Sequence, residues 1–322
     1  MSKASSVRAF LGTVAGARWM RPLQLAATLA LTIWIVVSLG EPAVAALKRF
    51  DFTVLLGALA LFASAQIFGG LRLAVLLSGT AVPWRDAIMT TWAGYFFSNF
   101  LPSTIGGDIF RLGRLASRGV ETARAAGILV LDRIFNLVAT FVLLALGMTG
   151  RFPQYLMKGL SLNHEKAVLV LIGGAIILGG MIFFALASAR IRNMLQLALR
   201  PLRELRRNPV IALSAFVLSI LNLGVAILAQ WLIIRQLHGG VSLIELTVIV
   251  CTVTLIVLVP VSFNGLGLQE GAFAYFLVQA GVSLSVALVY GLLVRVLIVM
   301  TSAIGGLLFA AERARAVPGA RA

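Results

Sequence analysis

The stretch Gly94–Arg111, GYFFSNFLPSTIGGDIFR, decides how this sequence folds. It overlaps an apolar run, residues 87–107, long enough for a membrane helix, yet Asn99, Pro102 and the pair Gly106-Gly107 interrupt that run. Proline and glycine breaks free backbone groups that lipid cannot satisfy, so they persist at membrane depth only where protein or water covers them. The stretch is therefore read as a re-entrant hairpin that dips into the membrane and leaves by the side it entered. A second broken run, residues 246–282, carries PVSFNGLGLQE at Pro260–Glu270, with Asn264, Gly265 and Gly267 at its turn.

The composition around these breaks agrees. Of 322 residues, 60% are hydrophobic and 12% charged, and the mean hydropathy is +1.02. Globular proteins hold roughly 45–50% and about 25%. Six unbroken segments, 23–40, 53–77, 125–149, 167–189, 209–234 and 284–311, approach or exceed the roughly 20 residues that a membrane crossing needs. The first follows Lys3, Arg8, Arg18 and Arg21, but it outlasts the roughly 7–15 residues of a signal-peptide core and is read as an uncleaved transmembrane helix. The expected fold is an all-α polytopic membrane bundle, one membrane domain over 1–322 with no soluble domain.

Twenty-seven basic residues against 11 acidic ones give a net charge of +16. The basic residues cluster in short loops, where topology and anionic headgroups account for them. No basic segment carries the interleaved aromatics of a single-strand binder, so no nucleic acid is expected. With the N-terminus inside and both broken runs re-entrant, the cytoplasmic segments 1–22, 72–86, 108–124, 190–207 and 312–322 hold 19 Lys+Arg, Arg72 among them, and outer loops 6. A full crossing at 87–107 would put the arginine-rich segments 108–124 and 190–207 outside, against that asymmetry. For 246–282, two full spans and a hairpin give the same parity. One cysteine, Cys251, and two histidines, His164 and His238, in separate loops leave no internal disulfide and no metal site of the usual kinds. No cofactor is expected either. Residues 190–207 read as a basic amphipathic segment on the membrane surface.

An internal repeat follows. Helix, helix, broken hairpin and helix occur in residues 23–150 and again in 167–311. Asp108 precedes Arg133 by 25 residues, and Glu270 precedes Arg295 by the same interval. One half starts inside and the other outside, so the repeats are expected to be inverted, a plan shared by many secondary transporters.

The candidate substrate-binding or gating residues lie at these features. Glycines at 106 and 107 let backbone approach a ligand, and a helix beginning near Asp108 aims free N–H groups at an anion. Arg111, Arg114 and Arg118 share one helical face; Arg111 is taken with Asp108 as a candidate, whereas Arg114 and Arg118 are read as headgroup contacts. Asp132, Arg133, Asn136 and Thr140 fall within about 100° on a helical wheel, and ionised groups inside a membrane helix face a cavity or a partner. Arg295 lacks an acid beside it, and Glu270 is its natural partner. Ser219, Asn222 and Gln230 form a polar stripe read as helix-to-helix hydrogen bonding. The glycine pairs 173–174, 179–180 and 305–306 read as close-packing positions. Gly265-x-Gly267 with Gly271 follows no strand, so a dinucleotide fingerprint fails its context.

Asn99-x-x-Pro102, Gly106-Gly107-Asp108-x-x-Arg111, Asp132-Arg133 and Asn264-Gly265-x-Gly267-x-x-Glu270 together resemble the lysylphosphatidylglycerol synthase transmembrane family. That family includes the flippase-like membrane domain of the multiple peptide resistance factor and stand-alone homologues, some associated with hopanoid biosynthesis. Where the family is expected to carry Glu-Arg, this chain has Asp132-Arg133. The resemblance implies movement of an anionic phospholipid, an isoprenoid or a lipid-linked sugar across the bacterial inner membrane, without covalent chemistry. The soluble aminoacyl transferase of bifunctional members has no counterpart in this sequence, so lysyl-lipid synthesis is not carried over.

The leading expectation is a lipid flippase and not an enzyme. The broken hairpins would form a central polar cleft in which Arg111, Arg133 and Arg295 engage a phosphate, while Asp108, Asp132 and Glu270 hold those arginines or exchange with substrate. A membrane lipid-modifying transferase using one of these acids as base predicts a covalently changed lipid. A scaffold for lipid-biosynthesis enzymes predicts tolerance of every intramembrane charge substitution. Homo-oligomers are compatible with all three.

Overall fold

The computed structural model describes residues 50–100, 106–147, 208–258, 265 and 267–316, together with Ala45 and Lys48. The expected segments 23–40 and 167–189, the turn residues Pro102 and Asn264, the glycine pairs 173–174 and 179–180 and the basic segment 190–207 lie outside the described residues.

The described residues form eight helices and no strand. They are α1 (Phe52–Leu76), α2 (Trp84–Phe100), α3 (Gly106–Ser117), α4 (Thr122–Gly147), α5 (Pro209–Leu237), α6 (Leu243–Val257), α7 (Leu268–Gln279) and α8 (Leu284–Ala316). Four of them, α1, α4, α5 and α8, are long and apolar enough to cross a membrane. Each broken run is a pair of short helices instead: 17 and 12 residues for α2 and α3, 15 and 12 for α6 and α7. None of the four reaches the roughly 20 residues a crossing needs. The chain is a multi-pass, all-α membrane bundle.

Local chemistry sets the ends. Asp51 caps α1 by accepting from Thr53 N at 2.9 Å, and these Thr53 hydrogen bonds hold its carboxyl below the usual carboxylate range. Ser242 and Glu245 exchange side-chain bonds with each other's backbone N–H and start α6 with a reciprocal cap. After α3 and α7 the chain turns through Gly119 and Gly281, whose φ values of 86° and 88° suit a residue without Cβ. In both turns two backbone bonds close the helix end: Val120 N to Leu115 O and Gly119 N to Ala116 O, then Val282 N to Leu277 O and Gly281 N to Val278 O.

These equivalences keep one offset. α3 begins at Gly106 and α7 at Leu268, 162 positions on. α4 begins at Thr122 and α8 at Leu284, again 162. Leu115 and Leu277, which occupy the same place in the two turns, are both fully buried.

Packing joins the two sets. α1 lies along α5, α8 packs on α2, and α4 touches both α5 and α6. Buried apolar side chains form a larger cluster, mostly from α5 to α8, and a smaller one where α1 to α4 meet at Leu73, Leu77, Leu115 and Ile128. The Gly305-Gly306 pair is a close approach, as its composition suggested: a Cβ on Gly305 would stand 2.3 Å from Trp92 O. α8 runs five residues past the expected end at 311, because the Ala-rich stretch Ala310–Ala316 favours helix and Glu312 finds partners on α3.

Candidate functional site

Charge inside the bundle concentrates at one place. A cavity of about 260 Å³ opens between α1, α2, α3, α4, α5 and α6. Its wall carries three arginines, Arg72, Arg111 and Arg133, and two acids, Asp108 and Asp132. Uncharged polar groups complete it, among them Asn136 and Thr140 from α4 and Asn222 from α5.

Asp132 is the centre. It is buried, its Oδ1 accepting from Arg72 Nε at 2.6 Å and its Oδ2 from Arg111 Nη2 at 2.9 Å. Arg72 is 7% exposed and is fixed further by Ser219 Oγ at 3.1 Å and Asn136 Oδ1 at 3.3 Å, both accepting from its Nη1. The polar stripe on α5 thus serves helix-to-helix bonding: Ser219 holds Arg72, Asn222 Nδ2 donates to Ala65 O at 2.5 Å, and Gln230 Oε1 accepts from Tyr290 at 3.2 Å.

Arg111 reaches the cavity because α2 gives way to it. A Cβ on Gly94 would stand 2.5 Å from Arg111 Cγ and 2.7 Å from its Cδ. Gly107 likewise packs against Ser98 and Gly94 O, bringing α3 onto α2. Arg111 Nε is buried and has no hydrogen-bond partner among the described residues.

Asp108, in the first turn of α3, is the more exposed of the two acids in the cavity wall. Its Oδ1 is 3.5 Å from Arg111 Nη1, and its Oδ2 accepts from Arg133 Nε at 2.6 Å. Arg133 Nη2 contacts the same oxygen. Arg133 therefore pairs with the acid 25 positions before it and not with the Asp132 beside it.

The matching pair of the second half, Glu270 on α7 and Arg295 on α8, is closed. Glu270 Oε1 accepts from Arg295 Nε at 2.6 Å, and its Oε2 accepts from Gly267 N at 2.9 Å. Arg295 Nη2 reaches Gly265 O at 3.3 Å, so the pair pins the turn in which Gly265 and Gly267 take positive φ. Glu270 and Arg295 are 4% and 7% exposed and form no part of the cavity wall. Of the candidates, Asp108, Arg111, Asp132 and Arg133 converge on the cavity, Gly106 and Gly107 are buried beside it, and Asn99 Nδ2 donates to Tyr95 O at 3.0 Å one turn back.

Two features of the sequence take a different place from the one expected. Arg72, counted with a cytoplasmic loop, lies within α1 as a buried ion-pair partner, because Asp132, Ser219 and Asn136 supply its counter-charge and acceptors. Its position after Gly69-Gly70, still inside the apolar run 53–77, is the feature that distinguishes it. Arg114 and Arg118, read as headgroup contacts, clasp other helices. Arg114 Nη2 meets both oxygens of Glu312 at 2.7 Å, and Arg118 meets Asp86 at 2.6 Å and Glu312 at 3.0 Å. This clasp ties α3 to α2 and to the end of α8.

A family model described as the lysylphosphatidylglycerol synthase TM region matches residues 23–306. No curated protein and no solved structure matches the chain.

Proposed function

This chain belongs to the lysylphosphatidylglycerol synthase transmembrane family, whose members are membrane proteins tied to lipid handling, and on that premise we propose that it moves an anionic phospholipid or lipid-linked intermediate between the leaflets of a bacterial inner membrane. The observation that carries the reading is the charge of the cavity: three guanidiniums against two carboxylates leave one positive charge for a ligand to neutralise. Charges within membrane helices are costly and face a pathway or a partner. A guanidinium matches the oxygens of a phosphate with paired donors, and Arg111 and Arg133 both line the cavity.

The two halves act as inverted repeats that rock about this cavity, a motion suited to carrying a headgroup past hydrocarbon. The common offset of 162 positions in helix starts and glycine turns supports the repeat. Both termini lie on the cytoplasmic side. The lipid passes unchanged, with no cofactor. Asp132 has a guanidinium on each oxygen, which commits its carboxylate to the ion-pair path of the cavity.

Purified protein in liposomes carrying fluorescent phosphatidylglycerol, with dithionite bleaching the outer leaflet, tests the proposal. Bleaching beyond half of the label is expected for wild type and not for Arg111→Gln or Arg133→Gln. Equal bleaching in all three would sink the role of the cavity. A covalently altered lipid after incubation with a donor would replace translocation with transferase activity.

A further inference from the structure

The five charges of the cavity alternate in sign along a single path: Arg72, Asp132, Arg111, Asp108, Arg133. The inner end is locked, since Asp132 is buried and each of its oxygens has a guanidinium donor within 2.9 Å. The outer end is looser. Asp108 stands between Arg111 and Arg133 with its side chain 24% exposed, and its 3.5 Å contact to Arg111 is the longest link in the path.

We propose that Asp108 is a tethered anion that holds the place of a ligand's anionic group, and that an incoming phosphate displaces its carboxylate from Arg111 and Arg133. The inference rests on reading the cavity as a site for anionic headgroups and adds how that site is regulated. A carboxylate and a phosphate make the same charge-assisted contacts to guanidinium, so one can stand in for the other. Exchange also solves an electrostatic problem. Removing the partner of an enclosed charge is strongly unfavourable, and substituting one anion for another keeps the enclosed Arg111 fully countered at either stage. A ligand that must displace a resident carboxylate binds less tightly than the bare arginines would allow, which favours release, as conduction and transport require.

The acid at the matching position shows what a structural carboxylate looks like here. Glu270 is 4% exposed, and its oxygens are committed to Arg295 Nε and to Gly267 N. Asp108 has instead two arginines that both face the cavity.

Binding of short-chain phosphatidylglycerol to the full chain, measured by calorimetry in a zwitterionic detergent, separates the possibilities. Short-chain phosphatidylcholine is the control and inorganic phosphate the second anionic probe. Asp108→Asn is expected to bind phosphatidylglycerol about tenfold more tightly than wild type, because the competing state is removed, with phosphatidylcholine unchanged. Asp108→Glu keeps the charge and is expected to stay within about twofold of wild type, since the resident anion remains; this separates loss of competition from repacking. A gain for phosphatidylglycerol alone assigns the headgroup of a lipid as the displacing anion. A gain for inorganic phosphate as well assigns the phosphate group itself, and both results support displacement. If Asp108→Asn binds equally or more weakly while Arg111→Gln loses binding, the tethered anion is wrong and the headgroup site stands. If wild type and Asp108→Asn both fail to distinguish phosphatidylglycerol from phosphatidylcholine, the headgroup site falls and the tethered anion with it.

Discussion

Around Asp108 and around Glu270 the chain builds the same frame and fills it differently. Both acids occupy the third position of a 12-residue helix, both accept from an arginine Nε at 2.6 Å, and both helices end in a glycine turn. The neighbours then diverge. Counting 162 positions from Arg111, Asp132 and Arg72 leads to Phe273, Val294 and Ile234, all buried apolar residues. Phe273 meets Tyr290 edge to face, and the described residues there close over the Glu270–Arg295 ion pair. The second half therefore shows that this frame stands without an open charged cluster. Buried ion pairs contribute little net stability over well-packed apolar residues, so the proposed anionic ligand gives the extra charges of the first half a reason that stability does not.

The largest expected effect probes the closed side. Glu270→Gln leaves Arg295 enclosed without a counter-charge and should destabilise the protein by about 3–5 kcal/mol, read as early unfolding in a detergent thermal melt. Asp108→Asn should cost less than about 1 kcal/mol, because its Arg133 partner is largely exposed. Equal losses would erase the distinction between a structural and an exchangeable acid. Next, the triple variant Arg72→Ile, Asp132→Val, Arg111→Phe copies the second half into the first. It should remain folded, by size-exclusion chromatography and circular dichroism, and lose phosphatidylglycerol binding. Retained binding would mean that these charges are scaffolding. A further small effect concerns the junction between the halves. Glu312→Gln removes the clasp of α8 on Arg114 and Arg118 and should lower stability by about 1 kcal/mol, less at high salt, since Arg118 is well exposed. A larger, salt-independent loss would show that the clasp fixes how the halves meet.

Much of this arrangement was legible in the sequence. Helix periods and breaks located the described spans to within a few residues, and the equal spacings singled out two acid–arginine pairs. The partners inside the cluster were not. Asp132 and Arg133 are adjacent in sequence, but successive residues of a helix point about 100° apart, so the acid turns to Arg72 and Arg111 while the arginine turns to Asp108. Arg72 escaped notice because an arginine near the end of an apolar run has the same appearance whether it meets headgroups or a buried carboxylate. Arg114 and Arg118 were misread for the converse reason. Their acid, Glu312, lies almost 200 positions away, and no local pattern links them.

Gly94 carries a consequence of its own. Its missing side chain is the space through which the stem of Arg111 passes, so even a methyl group there would push on Cγ and Cδ and swing the guanidinium off Asp132. An alanine at that position would alter no charge, remove no hydrogen-bonding group and look conservative in any comparison of sequences. The electrostatics of the cavity are thus under the control of a residue that has none, and a search for inactivating changes confined to ionisable side chains would pass over it.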